Sequence, residues 1–248
     1  MAKYKSQFSP SNLNTFNHCP AQWNYRYLVK PKGIPLETPH IDLGQLSHTA
    51  IEKYFARAKT KPERRIEIEQ PIDFCFEEVV GNRFTSTPNL QRKLRSVIKN
   101  FKEFELIRAA KWKAYLPTFI EKDLRNKDFR GIIDFYSEPQ ATVIDWKTGY
   151  KQEITDADIL QGEIYRNLLT EAGHPVDKVF FVSLSSGKCL EIPKQPPGFL
   201  ESQLSSVKDS ISNDAFPARP NSWCYNCSYQ IECEFDNTNL WESENIGI

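Results

Sequence analysis

Near residue 116 the hydrophobic period of the chain changes, and that change limits what it can fold into. Before it, residues 91–115 form the longest amphipathic segment, with Leu94, Val97, Ile98, Phe101, Phe104 and Ile107 at helical spacing. The charged residues of that segment read as a solvated face. After it come three short runs of strand character, 117–122, 129–137 and 141–147, with Glu138-Pro139-Gln140 as a turn. Thr155-x-x-Asp158 has the form of a capping box with Asp in place of Glu. It opens a helix to about Thr170, which Gly173 ends. Residues 179–184 are apolar throughout and read as a central strand. Upstream, Ser9-Pro10-Ser11 opens a helix bearing Leu13, Phe16, Trp23, Tyr27 and Leu28, which Pro20 breaks or restarts. A Pro-rich loop, PKGIPLETPH, follows. LGQLSHTAIEKYFARA is helical by pattern, with Leu43, Leu46, Ala50, Ile51, Tyr54 and Phe55 inward. Leu200, Leu204, Val207 and Ile211 mark a last helix. Helices, an antiparallel hairpin, a helix and another strand predict an α/β core with a mixed sheet.

Composition excludes some classes. Lys+Arg and Asp+Glu are 32 each, so any nucleic-acid binding must come from a local basic patch, not from the global field. No apolar run reaches the roughly 18 residues of a membrane span. The opening MAKYKSQFSPSN lacks the apolar core of a secretory signal. The expected location is the cytoplasm, of a host cell if the source is viral. Stable disulfides are rare there. The cysteines Cys19, Cys75, Cys189, Cys224, Cys227 and Cys233 therefore read as ligands or buried thiols.

Two constellations carry chemistry. In VIDWKTG, Asp145 and Lys147 are two apart on a strand and project from the same face, about 7 Å apart along the backbone. Asp134, on the preceding strand, can reach the same point. Two carboxylates hold a hard divalent cation through oxygen. The cation polarises a phosphodiester and acidifies water. A neighbouring lysine orients that water or stabilises charge on the phosphate. An isolated D-x-K is more often a weak surface ion pair. Here it belongs to a longer pattern: G-I-I-D, ten residues, D-W-K-T-G, then Gln161 and Tyr165 on one helix face, with His48 upstream. The second constellation is C-x2-C-x5-C at Cys224, Cys227 and Cys233, which wants a fourth thiolate from Cys19, Cys75 or Cys189.

These motifs, with the opening FSPSNLNTFNHCPAQWNYRY and GQLSH ending at His48, resemble the PD-(D/E)xK nuclease superfamily in its RecB-like branch. The pattern is similar to the CRISPR-associated exonuclease family and runs from about Phe8 to Cys233. The resemblance implies a restriction-endonuclease-like core, a central mixed sheet flanked by helices. It implies one nuclease domain over 1–248 with its core at 40–190. Residues 8–30 and 215–236 would form a cysteine clasp joining the termini. His48, Asp134, Asp145 and the Trp146 carbonyl would hold Mn2+ or Mg2+. Lys147 would be catalytic, and Gln161 and Tyr165 would support the site and touch DNA. The branch often carries another acid where Glu121 stands, though Glu121 fits a solvated strand end equally well. Cys19, Cys224, Cys227 and Cys233 would ligate a [4Fe-4S] cluster. The alternative is structural zinc, which usually pairs two C-x2-C knuckles, whereas this chain has one.

The implied activity is that of a metal-dependent deoxyribonuclease, most simply an exonuclease on single-stranded DNA ends. The rivals are a structure-selective endonuclease and a non-catalytic iron–sulfur DNA-binding or assembly protein. Partners would be DNA and proteins of recombination, repair or CRISPR adaptation, with no membrane. No GxxxxGK[ST] stretch is present, so no helicase motor is visible. Trp23, Tyr25, Arg26, Tyr27 and Lys30 interleave rings and charges and are candidates to stack unpaired bases, or else to form core and solvated surface. Lys111-Trp112-Lys113 is a second candidate.

Overall fold

The sheet is built where the period changes. In the computed structural model, which describes residues 7–31, 40–60, 69–81, 88–112 and 114–233, five strands lie in the order β1-β2-β3-β4-β5. They are β1 (Phe119–Arg125), β2 (Arg130–Ser137), β3 (Thr142–Lys147), β4 (Lys178–Ser183) and β5 (Cys189–Glu191). The β1, β2 and β3 strands pair antiparallel, β4 joins β3 in parallel, and β5 is antiparallel to β4. The turn at Glu138–Gln140 is a single 3-10 turn ended by Ala141 at φ 45°. The Pro-rich loop and Lys113 fall largely or wholly outside the described residues.

The chain divides into two compact units, Thr38–Gln195 and Met1–Glu37 with Pro196–Ile248. In the first, α3 (His40–Thr60), α4 (Glu69–Val80) and α5 (Pro88–Lys111) pack with one face of the sheet around Phe55, Phe101, Phe135, Ile144 and Trp146. On the other face α6 (Asp156–Glu171) packs Tyr165 and Leu169 against Ile133, Val143 and Phe181. This is the α/β core with a mixed sheet and flanking helices that the sequence predicts. Its α4 and β5 were not anticipated: β5 has only three residues, too few for alternation to register.

Two expectations for α5 are corrected. Ile107 is 57% exposed, while Glu105 and Arg108 are buried. The inward stripe runs through Val97, Phe101, Glu105 and Arg108, which share one helix face at near-four-residue steps. The two charges enter the core because they satisfy each other: Arg108 Nε and Nη2 each donate to a Glu105 carboxylate oxygen at 2.8 Å.

In the second unit, α1 (Pro10–His18) starts on Ser9, whose hydroxyl accepts from the Asn12 N–H at 3.2 Å. Pro20 restarts the helix as α2 (Pro20–Asn24), a π-helical turn covers Tyr25–Val29, and α7 (Phe199–Asn213) buries Leu204 and Val207. Trp23 is fully buried among Phe16, Tyr27 and Phe216, with its ring N–H donated to Asn12 Oδ1 at 3.0 Å. It is therefore a core residue and unavailable to stack on a base. No described helix is long and apolar enough to cross a membrane.

Candidate active site

The acids reach the site through a break in strand alternation. Ile133 joins the α6-side cluster and Phe135 the α3-side cluster, although they are two residues apart on β2. The distortion lies at Asp134. On β1, between the ladder pairs Ile120↔Phe135 and Lys122↔Ile133, Glu121 has φ 47°. That left-handed backbone is uncommon for a residue with a side chain, and such strain clusters at functional sites. It turns Glu121 away from a solvated strand end and onto His48.

His48, one turn after Gly44 on α3, collects these groups. Its Nδ1 lies 2.9 Å from Glu121 Oε1 and 3.5 Å from Asp134 Oδ2, and its Nε2 lies 3.0 Å from the Trp146 carbonyl. Asp134 Oδ2 also accepts the Trp146 N–H at 2.8 Å. His48, Glu121 and Asp134 place one ligand atom each within 4.8 Å of one another. Of the four metal ligands that the sequence suggests, His48, Asp134 and the Trp146 carbonyl thus meet directly, and Glu121 joins them.

Asp145 sits beside this group, in a different set of contacts. Its Oδ1 accepts from Gln161 Nε2 at 2.8 Å and from the Tyr165 hydroxyl at 3.0 Å. Its Oδ2 is paired with the Lys147 ammonium at 2.7 Å. Lys147 donates to Gln161 Oε1 at 2.7 Å and lies 4.5 Å from the centre of the Phe181 ring. Lys147, Gln161 and Tyr165 are thereby brought onto one carboxylate, as their strand and helix spacings suggest.

The electrostatics fit a cation. Burial, then the neighbouring Asp145 carboxylate, pushes Asp134 well above the ordinary carboxylate range. Tyr165 is raised by burial and by Asp145. For Lys147, burial opposes the charge but Asp145 outweighs it, and the ammonium is held above its usual value. Two acidic side chains on one imidazole, with the Asp145 carboxylate beside them, suit a divalent ion with oxygen and nitrogen ligands.

Without metal, His48 replaces part of that charge. Burial works against its protonation, but Asp134 and Glu121 raise it from 6.5 to about 9. The resulting contribution to stability is full below pH 6.5 and disappears as pH rises through about 9. In metal-free protein, the urea midpoint of the wild type should therefore fall relative to His48→Ala between pH 6.5 and 9. A parallel course for the two proteins would contradict the ion pairing. Metal uptake at pH 7.5 should release a proton, since a ligating imidazole is neutral.

Gly162 lets α6 carry this set close to the sheet. A side-chain carbon there would start 2.7 Å from Ile192 Cγ2. Alanine gains about 1 kcal/mol of helix propensity, but overpacking against a buried isoleucine costs about 1–3 kcal/mol. Gly162→Ala should therefore lower stability slightly and slow the site's chemistry by displacing Gln161 and Tyr165. Ile192→Ala in the same chain should restore the rate, and a fully active single variant would argue against this tight approach.

The other predicted cluster is in the second unit. Cys19, Cys224, Cys227 and Cys233 line one pocket with His18, Gln22 and Tyr25. The backbone N–H groups of Arg219 and Asn221 point to Cys19 Sγ at 3.5 Å and Cys224 Sγ at 3.4 Å. Burial raises the Cys227 thiol, and the other three cysteines contribute in part. Cys75 is the buried thiol expected of a cysteine outside the cluster, whereas Cys189, expected to be buried likewise, is exposed on the three-residue strand β5.

A search of the curated proteins finds no match. The family model described as the PD-(D/E)XK nuclease superfamily matches residues 7–234, nearly the whole chain and every residue of both clusters. The family's members are nucleases of DNA that use divalent metal, and the His48–Glu121–Asp134 group is a possible site for it. On the extent of that match, and on the α/β core and acid–lysine site that agree with it, the chain belongs to the PD-(D/E)XK nuclease superfamily.

Proposed function

We propose that the protein is a Mn2+- or Mg2+-dependent exonuclease of the RecB-like branch, acting on single-stranded DNA ends and carrying a [4Fe-4S] cluster. The observation that carries the nuclease reading is the Lys147 ammonium held between Asp145 and Gln161, next to His48, Glu121 and Asp134. His48, Asp134, Asp145, Glu121 and the Trp146 carbonyl would hold the cation. When bound, it would polarise the phosphodiester and lower the pKa of water. Lys147, charged at neutral pH, stabilises negative charge developing on the phosphate. Gln161 fixes the lysine and Asp145 relative to each other, and the Tyr165 hydroxyl stays protonated and holds the same carboxylate in place.

Iron–sulfur ligation by Cys19, Cys224, Cys227 and Cys233 is supported by their shared pocket, since four thiolates are the usual ligand set of such a cluster. Cys227→Ala should bleach the visible absorbance of anaerobically purified protein and lower its unfolding temperature. An unchanged spectrum, or a colourless wild type with one zinc per chain, would remove the cluster.

The reading is tested with Mn2+ and, in parallel, Mg2+ on linear single-stranded DNA labelled at either end, beside a circular substrate. Stepwise loss from one end, absent from Asp145→Ala, is the expected result. Cutting of the circle would make the protein an endonuclease. Inertness of all substrates with both metals would leave a DNA-binding or assembly protein.

A further inference from the structure

We infer that Tyr150 is a nucleobase-stacking subsite at the rim of the active site, and that it gives the nuclease a preference for unpaired DNA. The inference rests on the nuclease reading above and adds a residue to it. Tyr150 is the third residue after Lys147 and its side chain is 75% exposed. A single exposed ring is ordinary on a protein surface. What distinguishes this one is the backbone that carries it.

The four residues Thr148, Gly149, Tyr150 and Lys151 are tied at three carbonyls and one N–H. The Ser185 hydroxyl donates to the Thr148 carbonyl, and Ser183 Oγ donates to the Gly149 carbonyl at 3.0 Å. Ser186 Oγ donates to the Lys151 carbonyl at 2.7 Å, and the Lys151 N–H reaches Ser183 Oγ at 3.3 Å. Ser183 at the end of β4 and Ser185 and Ser186 of the turn that follows thus hold the peptide on both sides of Tyr150 while its ring is left in solvent. The loop therefore presents the ring preorganised, at little further cost in backbone entropy on binding.

The same loop lies close against α3 and is tied to α6, the two helices that build the site. The Thr148 hydroxyl lies 3.3 Å from where a side chain on Gly44 would start, one turn before His48 on α3. The Lys151 ammonium pairs with Asp158, three residues before Gln161 on α6. Tyr150 is thus carried between the approaches to the metal ligand and the lysine support. From Lys147 at most about 11 Å of backbone leads to it, three residues of extended chain. That distance suits a nucleotide next to the scissile bond. A flat ring there offers a face to any base, and stacking needs a base freed from its duplex partner. The ligand class is single-stranded DNA, or a frayed end, without strong sequence preference.

The test compares wild type, Tyr150→Ala and Tyr150→Trp, each checked for an unchanged thermal melt. Binding to a labelled single strand and to a closed duplex is read with Ca2+, and cleavage with Mn2+. Tyr150→Ala should weaken single-strand binding roughly 5- to 100-fold, the range of one base–aromatic stack, and leave the duplex unchanged. Tyr150→Trp should restore it. A scan of abasic positions should find one that costs the wild type as much as the alanine variant loses and costs that variant nothing further. Equal single-strand binding by all three proteins, or an equal loss on both substrates, would overturn the inference. If the wild type cleaves DNA through Asp145 while Tyr150→Ala behaves as wild type, only the stacking subsite fails. A wild type that neither binds nor cleaves DNA would overturn the nuclease reading and this inference together.

Discussion

Asp145→Ala is expected to slow DNA cleavage by about three orders of magnitude or more, the rate equivalent of several kcal/mol of charge stabilisation at the phosphate. Asp145 is 2% exposed and is the meeting point of Lys147, Gln161 and Tyr165. Its removal takes away a proposed metal ligand and the anchor of the lysine at once. The effect on folding should be much smaller, because two changes oppose each other. Lys147 loses its counter-ion but keeps the Gln161 oxygen at 2.7 Å. Asp134, raised by its own burial and next by Asp145, is relieved of a neighbouring charge. Asp145→Asn keeps the shape and an oxygen for Gln161 and Tyr165, so it isolates the charge. It should be nearly as inactive as the alanine variant and should bind Mn2+ more weakly. Cleavage by either folded variant near the wild-type rate would sink the assignment of Asp145.

How far the site could be read from the sequence depends on how local each signal is. Asp145 and Lys147 sit in a short strand after a Pro-containing turn, and period two alone puts them on one face. Gln161 and Tyr165 follow from one helical turn, and their contacts with Asp145 need only that α6 cover β3. Glu121 was less legible because its aim depends on a positive φ and on broken alternation at Asp134, neither of which residue types announce. The ties that hold Tyr150 were invisible for another reason. They join residues 148–151 to serines more than 30 positions later, through hydroxyls that sequence reasoning leaves on the surface. Among the helices, period placed α3 and α6 well, but it misjudged α5, where a charged pair occupies core positions.

That pair carries the second large effect. Glu105→Ala should destabilise the nuclease unit by about 3–5 kcal/mol, the usual cost of leaving a buried charge without its partner. Glu105 is 0% and Arg108 3% exposed, so water cannot replace the lost carboxylate. Burial raises the Glu105 carboxyl while Arg108 pulls it down, as expected for a charge kept in the core by one counter-ion. Arg108 also donates Nη1 to the Tyr115 carbonyl at 2.7 Å, and its guanidinium carbon lies 4.6–5.4 Å from the ring centres of Tyr115, Phe135, Trp112 and Phe55. These contacts offset part of the loss but supply no negative charge. Replacing both partners, Glu105→Leu with Arg108→Met, should recover most of the stability, because an apolar pair has nothing left unpaired. Urea unfolding of the three proteins checks the order. The pair also matters to the site, since Phe135 follows Asp134 on β2 and its ring lies 4.8 Å from the guanidinium. A loosened Arg108 should therefore weaken Mn2+ binding in Glu105→Ala even where the protein remains folded, and the double variant should regain it. If Glu105→Ala were as stable as the wild type, the ring faces and the Tyr115 carbonyl would suffice to hold the guanidinium, and the carboxylate would have no structural role.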